Sequence, residues 1–339
     1  MPKKSLGVDI GSSGVRIAEI TRRGNHAWLT NYGHTTLPQK INTDLASDRE
    51  CQLVQNAINE ICRRAKFSTD KAYSTIPGCY TANQTFHFDQ QAAKEVIESW
   101  VKDNLPVKHL GRDILIKWQK IHPSTKKGCQ TIQASATNKD IIERYQNIFH
   151  NTYLNLQDLE TNYHALGRSL AGHDHRPTMI IDMGDKYTDV TITQHNHPII
   201  TKSIEFGGGQ ITAALAKHLN IDQNQAEQFK KDRQILNPPG KDSPLTKIFS
   251  VQREKLKSEL RDLLAEALRK KVKVDKIIIS GGCAGDQEFV AWLEKSLGVK
   301  VYPGNPWSRV VYQEDIRPLL AEITQYFPTA VGVAMKGLE

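Results

Sequence analysis

Two short Asp-containing motifs have the residue types and spacing for phosphate and metal chemistry. The first, D-I-G-S-S, supplies a carboxylate at Asp9, a turn-forming Gly11 and the hydroxyls of Ser12 and Ser13. Backbone N–H groups in such a turn hold phosphate through fixed dipoles, and a carboxylate beside them suits Mg²⁺. A single copy is equally well explained as an ordinary polar hairpin turn.

The second motif, I-D-M-G-D-K-Y-T-D, repeats the Asp-x-Gly spacing far along the chain, with Asp182, Gly184 and Thr188 as candidate ligand-binding residues. Two carboxylates and two glycine turns can grip a triphosphate and its metal from opposite sides. A coincidental hairpin does not need both copies. The pair predicts an ATP site in which Asp9 and Asp182 hold Mg²⁺ through water and serve any catalysis.

A third motif, S-G-G, follows an apolar segment and contains Gly281 and Gly282. Residues without side chains allow a base or a phosphate to approach the backbone closely. A simple helix-entry turn explains the same two residues.

Strands and helices must position these motifs. Alternating apolar residues predict a hairpin over residues 1–20, a third strand at 27–36 and a helix at 44–66. After a polar linker at 172–177, the strand–turn–strand pattern returns at 178–193. A duplication separated this widely predicts two α/β lobes that face each other across a cleft.

The remaining elements follow from the same patterns. Helices are predicted at 90–102, 138–150, 158–171, 208–219, 223–231, 243–271 and 286–297, and strands at 81–88, 113–119, 130–136, 276–280 and 299–302, before a closing segment at 316–337. The mixed elements that follow Pro77 predict a small α+β insertion.

Composition excludes several classes of protein. The chain has 339 residues, 39% hydrophobic and 24% charged, enough for a sizeable core. It lacks the roughly 18-residue apolar run of a membrane span and the apolar core of a signal peptide, so we expect a cytoplasmic protein. Its five cysteines form no pair typical of zinc sites or disulfides and are expected to be reduced and structural.

The net charge of +8 permits nucleic-acid or anionic-membrane binding. The basic residues are dispersed, however, and the dense stretch at 268–274 ends a predicted helix, where the helix dipole favours cations. A nucleic-acid role therefore rests on charge alone. The histidine clusters at 173–175 and 195–197 are expected to be solvated turns, because a structural zinc site needs about four ligands.

The order of the three motifs resembles the actin, sugar kinase and chaperone ATPase superfamily. Within it, F-G-G-G-Q-I-T-A-A-L-A at 206–216 and A-E-Q-F-K at 226–230 resemble the PilM family of type IV pilus assembly proteins. The stretches Y-P-G-N-P-W at 302–307 and F-P-T-A-V-G-V-A-M at 327–335 are similar to that family as well. The resemblance extends from Leu6 to Leu338.

The resemblance implies roles for further residues. Gly207 and Gly208 would approach the nucleotide, while Glu227 and Lys230 would border the ribose and adenine. These last two also fit an ordinary ion pair three residues apart on a helix. Glu160 would orient the attacking water, although a glutamate near a helix start is also favoured by the dipole alone.

Two positions depart from the family pattern. Gly209 stands where an acidic residue is expected, which affects contacts to the ribose or metal. The run from Cys283 to Asp286 is an unusual continuation of the Gly-Gly loop and affects adenine specificity.

The implied fold is the actin-like ATPase fold, with two duplicated ribonuclease-H-like lobes around a nucleotide cleft and an inserted α+β subdomain like that of the cell-division protein FtsA. The expected segments are 1–76 for the first-lobe core, 77–140 for the insertion, 141–177 for interlobe helices, 178–203 and 274–320 for the second-lobe core, 204–273 for its helical part and 321–339 for a closing helix.

The implied function is an ATP-binding scaffold at the inner-membrane face, possessing at most slow ATP hydrolysis. Its partner would be the N-terminal tail of the bitopic protein PilN, bound between the first core and the insertion, with other pilus platform or motor proteins and a homo-oligomer as further partners. An FtsA-like polymerising ATPase is one alternative. A sugar-type kinase, with Asp185 or Asp189 as its base, is the other.

Overall fold

Two five-stranded sheets and one three-stranded sheet organise the chain in a computed structural model that describes residues 2–122, 124, 126, 128–172, 174–233 and 244–339. The strands are β1 (Lys4–Gly11), β2 (Gly14–Arg23), β3 (His26–Thr36), β4 (Lys71–Ile76), β5 (Thr81–Asp89), β6 (Ile114–Ile121), β7 (Cys129–Asn138), β8 (Asn155–Thr161), β9 (Thr178–Met183), β10 (Thr188–Gln194), β11 (His197–Ile204), β12 (Lys276–Gly281) and β13 (Val301–Pro303). The helices are α1 (Asp48–Ala65), α2 (Lys94–Asn104), α3 (Lys139–His150), α4 (Asn162–Leu166), α5 (Gly208–Leu219), α6 (Gln223–Arg233), α7 (Pro244–Arg269), α8 (Gln287–Leu297), α9 (Arg317–Ile323) and α10 (Pro328–Lys336).

The first and second sheets have the same topology. Their strand orders are β3-β2-β1-β4-β8 and β11-β10-β9-β12-β13. In each sheet the first strand of the hairpin pairs antiparallel with the second and parallel with the next strand along the sheet. The duplication predicted from the two Asp-x-Gly motifs is therefore confirmed at the level of the fold.

The inserted subdomain is a small α+β unit. Its antiparallel sheet has the order β5-β7-β6, and α2 covers one face. Ile97 and Val101 of α2 pack with Ile132 and Ala134 of β7 in a separate apolar core. This agrees with the predicted insertion.

Apolar spacing explains the helix that backs the first sheet. Val54, Ala57, Ile58 and Ile61 of α1 recur at helical intervals and are buried against the sheet. The helix ends where Lys66 adopts a left-handed conformation. The predicted helix at 44–66 is thus confirmed from position 48 onward.

The predicted helix at 158–171 is wrong in its first part. Residues 155–161 form β8, which pairs in parallel with β4. The sequence patterns revealed neither strand. A register shift between Ala72 and Tyr73 opposite β8 interrupts the ladder. Because such a bulge breaks the alternation of apolar and polar residues, period-based prediction fails here.

The C-terminal helix returns to the first lobe. A Cβ atom at Gly7 of β1 would lie 1.9 Å from the carbonyl oxygen of Ala330, and one at Gly332 would lie 1.9 Å from that of Ala165. The glycines therefore allow α10 to pack directly on β1 and α4. The segment that leads back to the first lobe begins at Trp307, which packs with Phe327 in a core shared with β2 and β3.

Within these described ranges, no helix combines the length and apolarity needed to cross a membrane. All five cysteines are free thiols. Burial raises the pKa of Cys283 to about 12, so this thiol is protonated at neutral pH.

Candidate functional site

The first motif forms the turn between β1 and β2. Asp9 lies near the end of β1, with its side chain 19% exposed, and Arg16 Nη1 lies 3.5 Å from its carboxylate. Burial raises the pKa of Asp9, and the charge of Arg16 opposes this rise. The same arginine nitrogen donates to the Gly14 carbonyl, 3.3 Å away, so a cation covers the turn.

Gly11, Ser12 and Ser13 are partly exposed in this turn. A Cβ atom at Gly11 would lie 2.6 Å from Arg16 Nη1, so a side chain there would displace the end of the arginine. The Ser12 and Ser13 carbonyls accept from the backbone N–H groups of Ile41 and of Leu37, which fixes the turn against the next loop.

The second carboxylate, Asp182, lies near the end of β9. Ser280 Oγ at the end of β12 donates to Asp182 Oδ1 at 2.7 Å. Burial raises the pKa of Asp182 to about 7, against the lowering effect of this hydrogen bond. The negative charges of Asp189 and Asp9 raise the pKa further, and Arg16 lowers it. The two predicted metal carboxylates are thus close enough to interact electrostatically.

The second turn joins the lobes and supports helix α5. The backbone N–H of Gly208 donates to the Gly184 carbonyl at 2.9 Å, and that of Gly209 donates to the Asp185 carbonyl at 2.7 Å. A Cβ atom at Gly207 would lie 2.4 Å from the Asp185 carbonyl oxygen, which explains the glycine at this position. Across the cleft, Lys40 Nζ forms an ion pair with the Asp185 carboxylate at 2.5 Å.

Glu227 and Lys230 of α6 reach the N-terminus of α5. Lys230 Nζ lies 2.7 Å from Glu227 Oε2 and donates to the Gly208 carbonyl at 3.0 Å. Thr212 Oγ1 donates to the same Glu227 oxygen at 2.6 Å. Burial raises the pKa of Glu227, but Lys230 and Thr212 together hold it below its ordinary value. The predicted pair is therefore joined to the glycine loop of Gly207 and Gly208.

The Gly-Gly loop follows β12. Gly281 has a φ of 84°, and a Cβ atom there would lie 2.1 Å from the Met183 carbonyl, so this position requires glycine. At Gly282, by contrast, a Cβ atom would meet no described atom within 4 Å. The second glycine therefore borders open space beside the second motif.

Thr188 is placed differently from its prediction. It is fully buried, and its hydroxyl donates to the Phe206 carbonyl at 2.7 Å. The structure brings Thr188 next to the site but not to its surface.

Glu160 also lies apart from the two aspartates. At the end of β8, its carboxylate accepts two hydrogen bonds from Arg168, at 2.8 and 3.1 Å, and its side chain is 8% exposed. Lys336 Nζ lies 3.6 Å away. Burial raises the pKa of Glu160, but Arg168, His164 and Lys336 together hold it below its ordinary value.

Glu160 lines a groove of about 1010 Å³ between the first lobe and the insertion. Residues of strands β6 and β8 and of helix α3 line it, together with Gln133, Ser135 and Thr137 of β7. His195 lies in the turn between β10 and β11, as predicted, and His175 is exposed; both line this groove together with His197, while His173 lies outside the described residues. No described group of three or more His, Cys, Asp and Glu side chains has the geometry of a metal site.

Asp189 connects the second lobe to both other parts. It pairs with Asp182 in the sheet register, and Asn162 Nδ2 of α4 donates to its carboxylate at 2.6 Å. Burial raises the pKa of Asp189, and hydrogen bonds that include those from Asn162 and the backbone N–H of Gly78 oppose the rise. Gly78 lies where the insertion begins, so one buried carboxylate contacts three parts of the fold.

Sequence patterns missed several residues that the structure adds to the site. Arg16 and Lys40 are the cations beside the two turns, and Ser280 and Asn162 bond the acidic residues. Arg16 follows the first motif on the next strand and was detectable from that register. Lys40 and Asn162 carried no local signal, because their partners are distant in sequence.

The two duplicated sheets, each with an Asp-x-Gly hairpin, and the Gly-Gly loop define a protein of the actin-like ATPase fold. A family profile described as type IV pilus assembly protein PilM matches residues 7–338. The chain therefore belongs to the PilM family of type IV pilus assembly proteins.

Solved structures agree with this fold. A PilM-PilN type IV pilus biogenesis complex is similar with a TM-score of 0.82 and 20% identity, over 99% of this chain and 98% of that one. The ethanolamine utilization protein EutJ from Carboxydothermus hydrogenoformans has a TM-score of 0.60 and 14% identity, over 99% and 90%. A MamK double helical filament has a TM-score of 0.54 and 13% identity, over 99% of both chains.

Proposed function

We propose that this protein is an ATP-binding scaffold of type IV pilus assembly at the cytoplasmic face of the inner membrane. The observation that carries the proposal is a pair of acids from opposite lobes, in which the charge of Asp9 contributes to the raised pKa of Asp182. A bound divalent cation would relieve this repulsion.

The donor set suits a magnesium nucleotide. Asp9 and Asp182 would hold the Mg²⁺ ion through water, and the ion would neutralise phosphate charge. The turn of Gly11, Ser12 and Ser13 would hold the phosphates from one side, with Gly184 and Arg16 beside them.

The α5 and Gly-Gly loops would receive the nucleoside. Gly207 and Gly208 would approach the nucleotide, Glu227 and Lys230 would border the ribose and adenine, and Gly281 and Gly282 would face the base. The predicted water-orienting role of Glu160 stays a prediction, and the engagement of its carboxylate by Arg168 counts against it. Binding without rapid turnover suits a scaffold.

Nucleotide binding can be tested by calorimetry with ATP and Mg²⁺. We expect Asp9→Ala and Asp182→Ala to weaken binding by at least about tenfold, because each removes a carboxylate from the metal site. Gly282→Ala adds a methyl group to open space at the proposed base site and therefore tests that part of the site. Gly285→Ala, which adds a methyl group in equally open space farther along the loop, is its control. Unchanged affinity in both aspartate variants would refute the nucleotide site.

The groove between the first lobe and the insertion is the proposed site for a partner tail. A similar protein was solved as a PilM-PilN complex, which supports the cytoplasmic tail of PilN as the ligand. ATP would favour closure of the two lobes as a population shift. Capture of immobilised PilN tail tests the scaffold role, and failure to capture it in any nucleotide state would remove that role.

A further inference from the structure

The loop between β3 and α1 reaches from the first lobe to the turn between β9 and β10 in the second. Lys40 Nζ in this loop lies 2.5 Å from Asp185 Oδ1, and Lys186 Nζ donates to Asn42 Oδ1 at 3.4 Å. Lys40 and Asn42 belong to the first lobe, whereas Asp185 and Lys186 follow the second Asp-x-Gly motif. Two polar contacts therefore join the lobes here, and one of them is an ion pair.

The backbone that carries Lys40 is fixed in the first lobe. The next residue, Ile41, is buried, and its N–H donates to the Ser12 carbonyl at 2.9 Å. The N–H of Asn42 donates to Glu50 Oε1 of α1 at 2.8 Å. Exposed side chains change rotamer much faster than loops move. The long Lys40 side chain is therefore the part of this loop that can leave its partner while the backbone stays in place.

Asp185 lies at the loop that is proposed to receive the nucleoside. Its carbonyl accepts the N–H of Gly209 at 2.7 Å, and both of its carboxylate oxygens lie 2.9 Å from the position of a Cβ atom at Gly209. Burial raises the pKa of Glu227, and the charges of Lys230 and Lys40 are among the effects that hold it below its ordinary value, so Lys40 is also near this acid. The side chains of Lys40 and Asp185 are 46% and 20% exposed. The ion pair therefore lies at the solvent side of the proposed nucleoside site.

The lobes are joined differently in the interior. Asn162 Nδ2 of α4 donates to the Asp189 carboxylate at 2.6 Å, and both side chains are buried. A buried hydrogen bond to a carboxylate is costly to break, whereas an exposed ion pair is weak and is screened by salt. The interior contact therefore suits a permanent joint, and the exposed ion pair suits a contact that opens and closes.

We infer that the Lys40–Asp185 ion pair is a latch that closes the nucleotide cleft and limits how fast nucleotide enters and leaves. The inference rests on the proposed function, since the gated ligand is ATP with Mg²⁺. Lys40 must separate from Asp185 for the ligand to pass, and the pair forms again around the bound nucleotide. Because the pair is present in both the free and the bound state, it slows entry and release together and leaves the dissociation constant nearly unchanged.

Rapid filtration with tritiated ATP and Mg²⁺ measures the rate of entry and, after a chase with unlabelled ATP, the rate of release. We expect Lys40→Ala to raise both rate constants by about two- to fivefold, the effect of losing one exposed ion pair, and to leave their ratio nearly unchanged. Lys139→Ala is the matched control, because Lys139 is 47% exposed and pairs with Asp113 at 2.6 Å. This control is expected to change neither rate constant.

A double-mutant cycle tests whether the two side chains act as a pair. Asp185→Asn removes the same ion pair and is expected to raise both rate constants as well. Since one interaction can be removed only once, adding Lys40→Ala to Asp185→Asn is expected to change them little further. Raising the salt concentration from about 50 to about 500 mM screens the pair and is expected to speed release from the wild type more than from Lys40→Ala. Thermal unfolding verifies that all variants are folded.

The outcomes separate the latch from the nucleotide site. If the wild-type protein does not bind ATP, the nucleotide site is overturned and the latch with it. Slower entry with faster release in Lys40→Ala, also in the Asp185→Asn background, shows that Lys40 attracts the nucleotide itself, which overturns the latch alone. Unchanged rate constants in Lys40→Ala do the same. Faster entry and release in both single variants, without a further increase in the double variant, support the latch.

Discussion

At the residue scale, the site brings together three acids that are largely withdrawn from water. Asp9, Asp182 and Asp189 lie near one another, and Arg16 is the cation that acts on both Asp9 and Asp182. Such an arrangement costs stability when the site is empty, because each ionised carboxylate is deprived of water and repelled by its neighbours. Strain of this kind is typical of a site built for a cationic ligand.

The raised pKa of Asp182 has a measurable effect on stability. Its value in the folded protein is about 7, against an ordinary value of 3.8, so the folded state binds the proton more tightly than the unfolded state. This group therefore destabilises the protein progressively as pH rises from about 4 to about 7, with the full cost above that range. We expect Asp182→Asn to raise the melting temperature more at pH 8 than at pH 5.

This measurement requires nucleotide-free protein and a matched control. Asp103→Asn removes an exposed acid of α2 and is expected to give the same small change at both values of pH. If Asp182→Asn raises the melting temperature by the same amount at pH 5 and pH 8, the raised pKa of Asp182 is contradicted.

The Arg168–Glu160 pair gives a second prediction at this scale. Arg168→Met would leave a nearly buried carboxylate with Lys336 at 3.6 Å as its remaining cationic neighbour. An uncompensated buried charge costs about 3–5 kcal/mol, which urea denaturation would detect. Adding Glu160→Gln to this variant removes the charge and is expected to recover part of the loss. Equal stability of the single and double variants would show that Glu160 carries no unpaired charge.

At the scale of elements, glycine determines how closely α10 approaches the first lobe. Gly332 faces the backbone of α4, and Gly7 faces the backbone of α10 itself. Backbone atoms cannot move aside as the end of a flexible side chain can. The closing helix is therefore held at a distance that only these glycines permit.

Gly332→Ala tests this packing. The added methyl group would lie 1.9 Å from the Ala165 carbonyl oxygen, so α10 must shift, and we expect a loss of about 1–3 kcal/mol or more in the free energy of unfolding. Gly285→Ala is the matched control, because its methyl group meets no described atom within 4 Å. Similar stability for the two variants would contradict the close approach.

At the scale of the whole molecule, Asp189 links the proposed nucleotide site to the proposed peptide groove. It is the register partner of Asp182, and it is bonded by Asn162, which lies between the groove residues Thr161 and His164. Since one carboxylate contacts elements of both sites, ligands at the two sites are expected to influence each other.

Linkage requires this influence to be reciprocal. ATP with Mg²⁺ is expected to change the affinity for the tail peptide by the same factor as the peptide changes the affinity for ATP. Asp189→Asn alters the hydrogen bonds of the link and is expected to bring that factor closer to one. Calorimetric titrations of each ligand with and without the other measure both factors. A factor that Asp189→Asn leaves unchanged would show that coupling does not pass through this residue.

Much of the architecture was predictable because its signals are local. The Asp-x-Gly hairpins around Asp9 and Asp182, the glycine loop at 280–282 and the apolar spacing of α1 depend on neighbours in sequence, and the structure confirms these elements. The duplication could be inferred from the recurrence of the same motif.

Other features depended on partners far along the chain. Strand β8 forms because β4 is beside it, Thr188 is buried because Phe206 accepts its hydroxyl, and Glu160 is engaged by Arg168 rather than brought to the two aspartates. None of these contacts leaves a periodic signal in the sequence.

The sequence by itself determined which turns recur, which residues can bend the chain tightly and therefore which fold class is possible. Only the tertiary structure decided which acids interact, which charged side chains meet across the cleft and which carboxylate joins the lobes. The physical reason is that turn and helix preferences are set by each residue and its near neighbours, whereas burial, charge interactions and strand pairing depend on groups that folding brings together.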